Sequence, residues 1–324
     1  MSARKRKESE DEDVAVLSPG GIRPQARRLI IAAILVVLAS VLGLIVWRHV
    51  RDHVLAGGQY QVQPDLISIS PPPEWIRGTS DSQAPADRIK SEALRDLTRG
   101  GALSLLDADL TVRVASAFSD HPWVSRVDRV SKSFPSGLEV ALAYRTPVAM
   151  VEVDDGTGVL PVDEQGVVLP TKDFTSDEVE RYPRIAEIYT RPAGAVGTRW
   201  GDAAVHGAAQ IAAAISRDWG ELDFARIVPV ERKPAQMGVE YTYAVITRSG
   251  STVYWGRAPG TDTPGELPAP RKIAQLKRYA EQNQGTLDGA DGPQEMEFGQ
   301  DGSLLRRARP VIAPLPSSAS AATP

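Results

Sequence analysis

The sequence predicts an α+β protein carried on one N-terminal transmembrane helix. Three observations lead there. A run without a single charge, Leu29–Trp47, lies near the N-terminus. Two helical patterns are followed by a cleanly alternating strand that ends at Tyr144. Beyond Pro147, short strand signals separated by turn residues dominate, with two further helical stretches among them.

Composition narrows the function classes. The chain has 324 residues, room for two modest domains and flanking segments. Its formal net charge is −4, and the basic residues are interspersed with acids, so no basic stripe points to nucleic acid. There is no cysteine, which excludes disulfides, thiolate zinc sites, iron–sulfur clusters and cysteine nucleophiles.

The anchor comes first. LIIAAILVVLASVLGLIVW spans roughly 28 Å as a helix, close to the thickness of a bilayer's hydrocarbon core. A buried core helix usually carries some polar face, and this run has none. Arg4, Lys5, Arg6, Lys7, Arg23, Arg27 and Arg28 precede it, and only Arg48 and Arg51 follow closely. The positive-inside rule then places the N-terminus in the cytoplasm and the C-terminal mass outside, with Trp47 at the far interface. A cleaved signal peptide is the rival, with Val54-Leu55-Ala56 as the cut. The apolar run is longer than a usual signal core, and Arg48, Arg51 and Asp52 stand between it and that site. Either reading exports the rest. Residues 1–28 mix basic residues with Glu8, Glu10, Asp11, Glu12 and Asp13 and are expected to be a disordered cytoplasmic tail. Residues 48–65 are expected to be a linker.

Gly57–Ala86 is polar and proline-punctuated, with one strand candidate in Leu66–Ser70, cut short by Pro71-Pro72-Pro73. In Asp87–Leu97 the apolar positions Ile89, Ala93 and Leu97 repeat every four residues, a helical pattern. Gly100-Gly101 ends it. A second helix carries Leu110, Val114, Ala117 and Phe118, with Asp109 as the expected N-cap. Pro122 stops it. Val124–Phe134 is a strand of imperfect alternation, and Pro135-Ser136-Gly137 is a turn. Leu138, Val140, Leu142 and Tyr144 then alternate with Glu139, Ala141, Ala143 and Arg145, as a half-buried antiparallel strand requires. This β-α-α-β-β order, 66–146, is expected to form a three-stranded sheet with both helices on one face.

A second domain, 147–308, is expected to be strand-rich. Val148–Val153, Gly158–Val162 and Val167–Leu169 are short strands separated by Asp154-Asp155-Gly156 and Asp163-Glu164-Gln165-Gly166. Asp202–Arg217 is an Ala-rich helix facing inward with Ala204, Ala208, Ile211 and Ile215. Phe224–Val230 is a strand, and Tyr241–Thr247 with Ser251–Trp255 form a hairpin around Arg248-Ser249-Gly250. Arg271–Glu281 is a helix with Ile273, Leu276 and Ala280 inward. Glu295–Phe298 and Ser303–Arg306 are terminal strands joined across Asp301-Gly302. Arg309–Pro324, rich in Pro, Ala and Ser, is expected to be a mobile tail.

Little in the chain invites catalysis. His49 and His53 stand four apart, a spacing that puts two ligands on one helical face, but they flank the anchor with no third ligand near. His121 precedes a proline at a turn, and His206 lies on the Ala-rich helix. Asp154-Asp155 and Asp163-Glu164 are paired acids of the kind a glycosidase uses, yet both sit in Gly-containing turns, where acids serve turn geometry. No nucleophile elbow and no phosphate-cradling loop is present. Trp123, at a helix–strand junction, reads as core rather than as an exposed anchor. The expectation is no enzyme, no metal and no cofactor.

The element order resembles the FtsQ/DivIB family of bacterial cell-division proteins, single-span proteins with an exported POTRA domain and a following β domain. The resemblance rests on HPWVSRVDRVSKSFPSGLEVALAYRTPVAMV (His121–Val151), with Pro122-Trp123-Val124 opening a strand, Phe134-Pro135 turning the chain and Thr146-Pro147-Val148-Ala149 leading into the β domain. LPVDEQGVVLP (Leu160–Pro170) is similar to the family's Val-Asp-x-x-Gly-x-Val-x-x-Pro hairpin. STVYWGRAPG followed by Arg271–Glu281 resembles its strand, glycine and helix. Together these cover roughly Leu66 to Arg306. The chain departs from the pattern where Pro71-Pro72-Pro73 replaces a valine-glycine turn and Thr146 replaces a charged residue, and Phe298 is the only aromatic in the terminal strands.

The resemblance implies a non-enzymatic scaffold of the division complex in the inner membrane, at the division site, binding FtsB/FtsL-like membrane partners. The physical means would be strand addition to an open sheet edge. Ser303–Arg306, or its neighbour Glu295–Phe298, would be that edge, with Glu297, Phe298, Leu304 and Leu305 as contact residues. The POTRA edge from Ser125 through Val127 to Val130 would be a second docking face. The alternative is a POTRA-type docking module of a secretion or envelope-assembly system. Those modules usually come in repeats or with a membrane barrel, and this sequence carries one unit and no barrel pattern.

Overall fold

The computed structural model describes residues 24–55, 60–77, 84–153, 158–235, 238–260, 265–290, 292–299 and 301–307. The expected cytoplasmic tail up to residue 23, the Asp154-Asp155-Gly156 turn and Arg309–Pro324 lie outside them. The chain divides into two compact units, Met1–Tyr60 and Gln61–Pro324.

The first unit holds one long helix, α1 (Pro24–Leu55). Its stretch Arg27–Arg51 is long and apolar enough to cross a membrane. Leu29, Leu35, Leu44 and Trp47 all lie exposed along it. So large a continuous apolar surface is stable in lipid rather than in water. The helix overruns the apolar run Leu29–Trp47 at both ends, taking in Arg27, Arg28, Arg48 and Arg51.

The second unit is a mixed α+β body with two sheets. The smaller sheet has three strands in the order β1-β3-β2: β1 (Ile67–Ile69), β2 (Val124–Ser133) and β3 (Gly137–Tyr144). β3 pairs antiparallel with β2 and parallel with β1. The expected alternation holds: Leu138, Val140 and Leu142 are buried and Glu139 is exposed. Two helices, α2 (Pro85–Arg99) and α3 (Leu110–Ser119), share one core with that face. Ile89, Leu94, Leu110, Val114, Phe118 and Trp123 fill it, so Trp123 is core. On α2, Leu94 is buried where Ala93 and Leu97 are only half-buried. Asp109 occupies the N-cap position of α3 but its side chain caps nothing. Asp107 shapes the turn leading into the helix, accepting from the Asp109 N–H at 3.1 Å and from Arg113 at 2.8 Å.

The larger sheet has eight strands in the order β11-β10-β9-β8-β7-β6-β4-β5. They are β4 (Pro147–Glu152), β5 (Val159–Asp163), β6 (Arg184–Ile185), β7 (Phe224–Ala235), β8 (Gly238–Thr247), β9 (Thr252–Arg257), β10 (Glu295–Phe298) and β11 (Leu304–Arg307). The strand expected at Val167–Leu169 does not form. Its residues make only isolated bridges, Val162 with Val168 and Val167 with Arg199, because the run packs as an irregular loop whose amides bond to Thr198 and Pro161 carbonyls. A short helix α4 (Ser176–Val179) and β6 are additional. Helix α5 (Ala203–Ile215) starts on Asp202, whose carboxylate accepts from the Ala204 N–H at 2.8 Å. Helix α6 (Ala269–Gln282) buries Leu276 and Ala280. Both helices share the large sheet's core with Trp200, Trp219 and Trp255.

A buried ion pair ties the loop after β5 to the smaller sheet. Asp173 and Arg88 are each 2% exposed. Arg88 grips Asp173 with both terminal nitrogens, at 2.7 and 3.0 Å. Asp173 also accepts from Trp123 Nε1 at 2.8 Å and from the Arg77 N–H at 3.2 Å. Leu169 and Phe174, on either side, pack into the small sheet's core.

Candidate functional site

The large sheet ends in a hairpin whose outer strand has a partner on one side only among the described residues. The hairpin is closed by a tight turn. The Gly302 N–H donates to the Gly299 carbonyl at 2.9 Å, and the Gly299 N–H donates to the Ser303 carbonyl at 2.8 Å. Gly302 has φ +83°, a left-handed geometry that glycine adopts without strain. Asp301 secures the turn by accepting from the Ser303 N–H at 3.1 Å and hydroxyl at 2.7 Å. Those hydrogen bonds hold its carboxyl below the usual range.

The turn sets which backbone groups face outward. Gly299 turns both its N–H and its C=O toward the returning strand, to Ser303 and Gly302, and bonded and non-bonded positions alternate along a ladder from there. The register is Phe298 with Leu304, Glu297 with Leu305, Met296 with Arg306 and Glu295 with Arg307. Leu305 and Arg307 therefore bond to β10, while Leu304 and Arg306 turn their N–H and C=O groups to the open edge.

The two faces of the hairpin differ. On the inner face Phe298 and Leu304 pack against the large core. Phe298 meets Trp255 edge-on, with ring centroids 6.3 Å apart. Lys272 of α6 is buried, with its Nζ 5.0 Å from the Trp255 ring and 5.6 Å from that of Phe298. It donates to the Trp255 carbonyl and to Glu266. Burial pushes the Lys272 ammonium down, and Glu266 offsets part of that. On the outer face Leu305 is 47% exposed beside Glu297. Arg307 lies 4.6 Å over the Tyr254 ring and 3.9 Å from Glu297. The Tyr254 hydroxyl donates to Glu295 at 3.2 Å, and burial, then that acid, pushes the phenol up.

Glu297, Phe298, Leu304 and Leu305 are thus brought together, but of these two strands only β11 is an edge, β5 being the sheet's other margin. β10 lies inside the sheet, bonded in parallel to β9 as well as to β11. That corrects the alternative of Glu295–Phe298 as the open strand. Ser125 and Val127 belong to the other sheet. β2 is an edge there, but its register shifts between Val124 and Arg126 and again between Val127 and Arg129. The Ser125 hydroxyl donates inward to the Ala143 carbonyl at 2.9 Å, and Val127 packs on the core. Arg126 pairs with Asp128 on the outside. Bulges and charges of this kind are how edge strands are kept from pairing further. Arg306, Arg307 and Tyr254 also line this margin of the large sheet; Arg306 falls within the expected strand Ser303–Arg306, whereas Arg307 and Tyr254 are not singled out by sequence. The signal available was the Asp301-Gly302 turn, whose geometry sets the parity of the ladder.

The remaining singled-out residues have local tasks. Asp163 accepts from the Gln165 and Val167 N–H groups, both at 2.9 Å, and from Arg145 at 2.7 Å, so this acid shapes its turn. His121 accepts from the Trp123 N–H at 3.3 Å and lies 3.2 Å from Glu92. His49 lies on α1. Among the described residues no group of three His, Asp or Glu side chains is placed to hold a metal ion.

A stretch of 84 residues, 25% of this chain, is 37% identical to the cell division protein FtsQ of Anaeromyxobacter sp. (strain K). The match spans about a quarter of that relative, 26% of its length. No protein-family model matches the chain.

Proposed function

We propose that this chain is a single-pass scaffold of the bacterial cell-division complex that recruits partner proteins outside the cytoplasm by β-strand addition to β11, without catalysing a reaction. α1 crosses the inner membrane with its N-terminus in the cytoplasm. Residues 66–146 act as a POTRA-like module and 147–308 as an FtsQ-type β domain, with FtsB/FtsL-like membrane proteins as partners at the division site.

The observation that supports the reading is the edge of β11, which has no second strand beside it among the described residues. Unpaired N–H and C=O groups on an exposed strand are a template for another chain. The partial likeness to a cell division protein and the apolar α1 support the setting.

Proline separates the edge from the ladder, because it removes one N–H. Leu304→Pro and Arg306→Pro delete outward donors and leave the β10–β11 bonds in place. Leu305→Pro deletes a ladder donor. Arg306→Pro should keep the melting temperature of the full chain, Leu304→Pro should lower it because Leu304 also packs on the large core, and both should lose capture of the partner segment and division-site recruitment of that partner. Full capture by both variants would end the proposal.

A further inference from the structure

We infer that the β2–β3 hairpin tip, led by Phe134, inserts into the lipid surface next to the anchor; the inference rests on α1 spanning a membrane.

Phe134 is 97% exposed. One exposed ring alone is ordinary, but a contiguous apolar patch marks an interaction site. Phe134 is not isolated. Leu66 and Leu106 are each 43% exposed, and Leu105 is half-buried. The backbone gathers these residues at one end of the smaller sheet. The Gln63 N–H donates to the Ser136 carbonyl at 3.1 Å, which sets the Pro64–Leu66 turn beside the tip. Lys132 donates to the Leu105 carbonyl at 2.5 Å and to the Asp107 carbonyl at 2.9 Å, which holds the 105–107 loop against β2.

The covalent chain supplies the occupant. Gln61 bridges Ser104, and the Val62 N–H donates to the Leu103 carbonyl at 2.8 Å, so the second unit's chain begins beside this same loop. Only residues 56–60 separate that start from the end of α1. A segment of that length spans at most about 20 Å, and the last helical residues of α1, 48–55, add about 12 Å beyond the apolar run. With α1 in a bilayer, the apolar end of the sheet is leashed within reach of the lipid interface. A short leash gives an effective concentration on the order of millimolar, enough for one aromatic and two leucines to partition. The attraction is apolar rather than electrostatic. The Lys132 ammonium is engaged with backbone carbonyls, and the charges nearest in sequence, Asp65 and Asp107, are acidic.

The chain has no cysteine, so Ser133→Cys offers one labelling site beside an intact Phe134. The full chain, carrying an environment-sensitive fluorophore there, is placed in nanodiscs of phosphatidylcholine with or without spin-labelled lipid. Co-purification with the disc reports the anchor independently. The expected result is quenching by lipid labelled near the headgroup, equal in discs containing anionic phosphatidylglycerol, and lost on Phe134→Ser. An unquenched probe in a chain that is anchored overturns the inference, as does quenching that survives Phe134→Ser. A probe unaffected by lipid but shielded by an added division protein overturns it too and makes the tip a protein contact.

Discussion

Replacing Asp173 with alanine removes the acceptor of four hydrogen bonds at once. Arg88 gives two of them, Trp123 one and the Arg77 N–H one. The guanidinium cannot follow the lost carboxylate into water, since Arg88 is 2% exposed and its Nε already lacks a partner among the described residues. Breaking a buried pair from one side costs roughly 3–5 kcal/mol, because a bare charge stays behind. In a folded unit of this size that lowers the melting temperature by roughly 6–20 °C. Differential scanning fluorimetry of the full chain in detergent reads the shift. The double variant Arg88→Met with Asp173→Leu should recover part of it, since an apolar pair of similar volume needs no counter-charge. A loss under about 1 kcal/mol for Asp173→Ala would refute the view that this ion pair fastens the loop after β5 to the smaller sheet.

Gly207→Ala would ordinarily strengthen a helix by about 1 kcal/mol, but here the new methyl would stand 2.2 Å from the Tyr243 hydroxyl, so a lower melting temperature is expected. Trp123→Phe keeps the buried ring and loses the bond to Asp173, at a cost of about 1–3 kcal/mol by denaturant titration. Burial pushes the His121 imidazole below its ordinary range, and the neighbouring Glu92 offsets this only in part. The unfolded chain therefore takes up that proton more readily, so this contribution is full above about pH 6.5 and falls as pH drops below it. His121→Gln should flatten stability against pH there, and an unchanged slope would contradict the assignment.

Much of the fold was legible where a local pattern and its burial coincide. β3 follows from strict alternation at Leu138, Val140 and Leu142, and α5 from Ala204, Ala208, Ile211 and Ile215 behind the Asp202 cap. Val167–Leu169 misled because an apolar, β-branched run signals burial and not a ladder, and its amides bond irregularly. β6 has two residues, too few for any period. The burial of Lys272 and Arg88 was not legible, since it depends on Glu266 and Asp173, which no spacing along the chain reveals. The candidate edge was half legible. The last strand of a domain is a natural margin, but β10 lies inside the sheet because it runs parallel to β9, and sequence does not encode that pairing locally.

The proposed scaffold role requires that β11 accept another strand. Hydrogen exchange at the Leu304 and Arg306 amides, with and without the extracytoplasmic segment of a small bitopic division protein, reads this directly. Strand addition predicts that both amides slow when the complex forms, while Leu305 and Arg307, already bonded to β10, change little. A complex that forms while the Leu304 and Arg306 amides exchange at their free rate would contradict it.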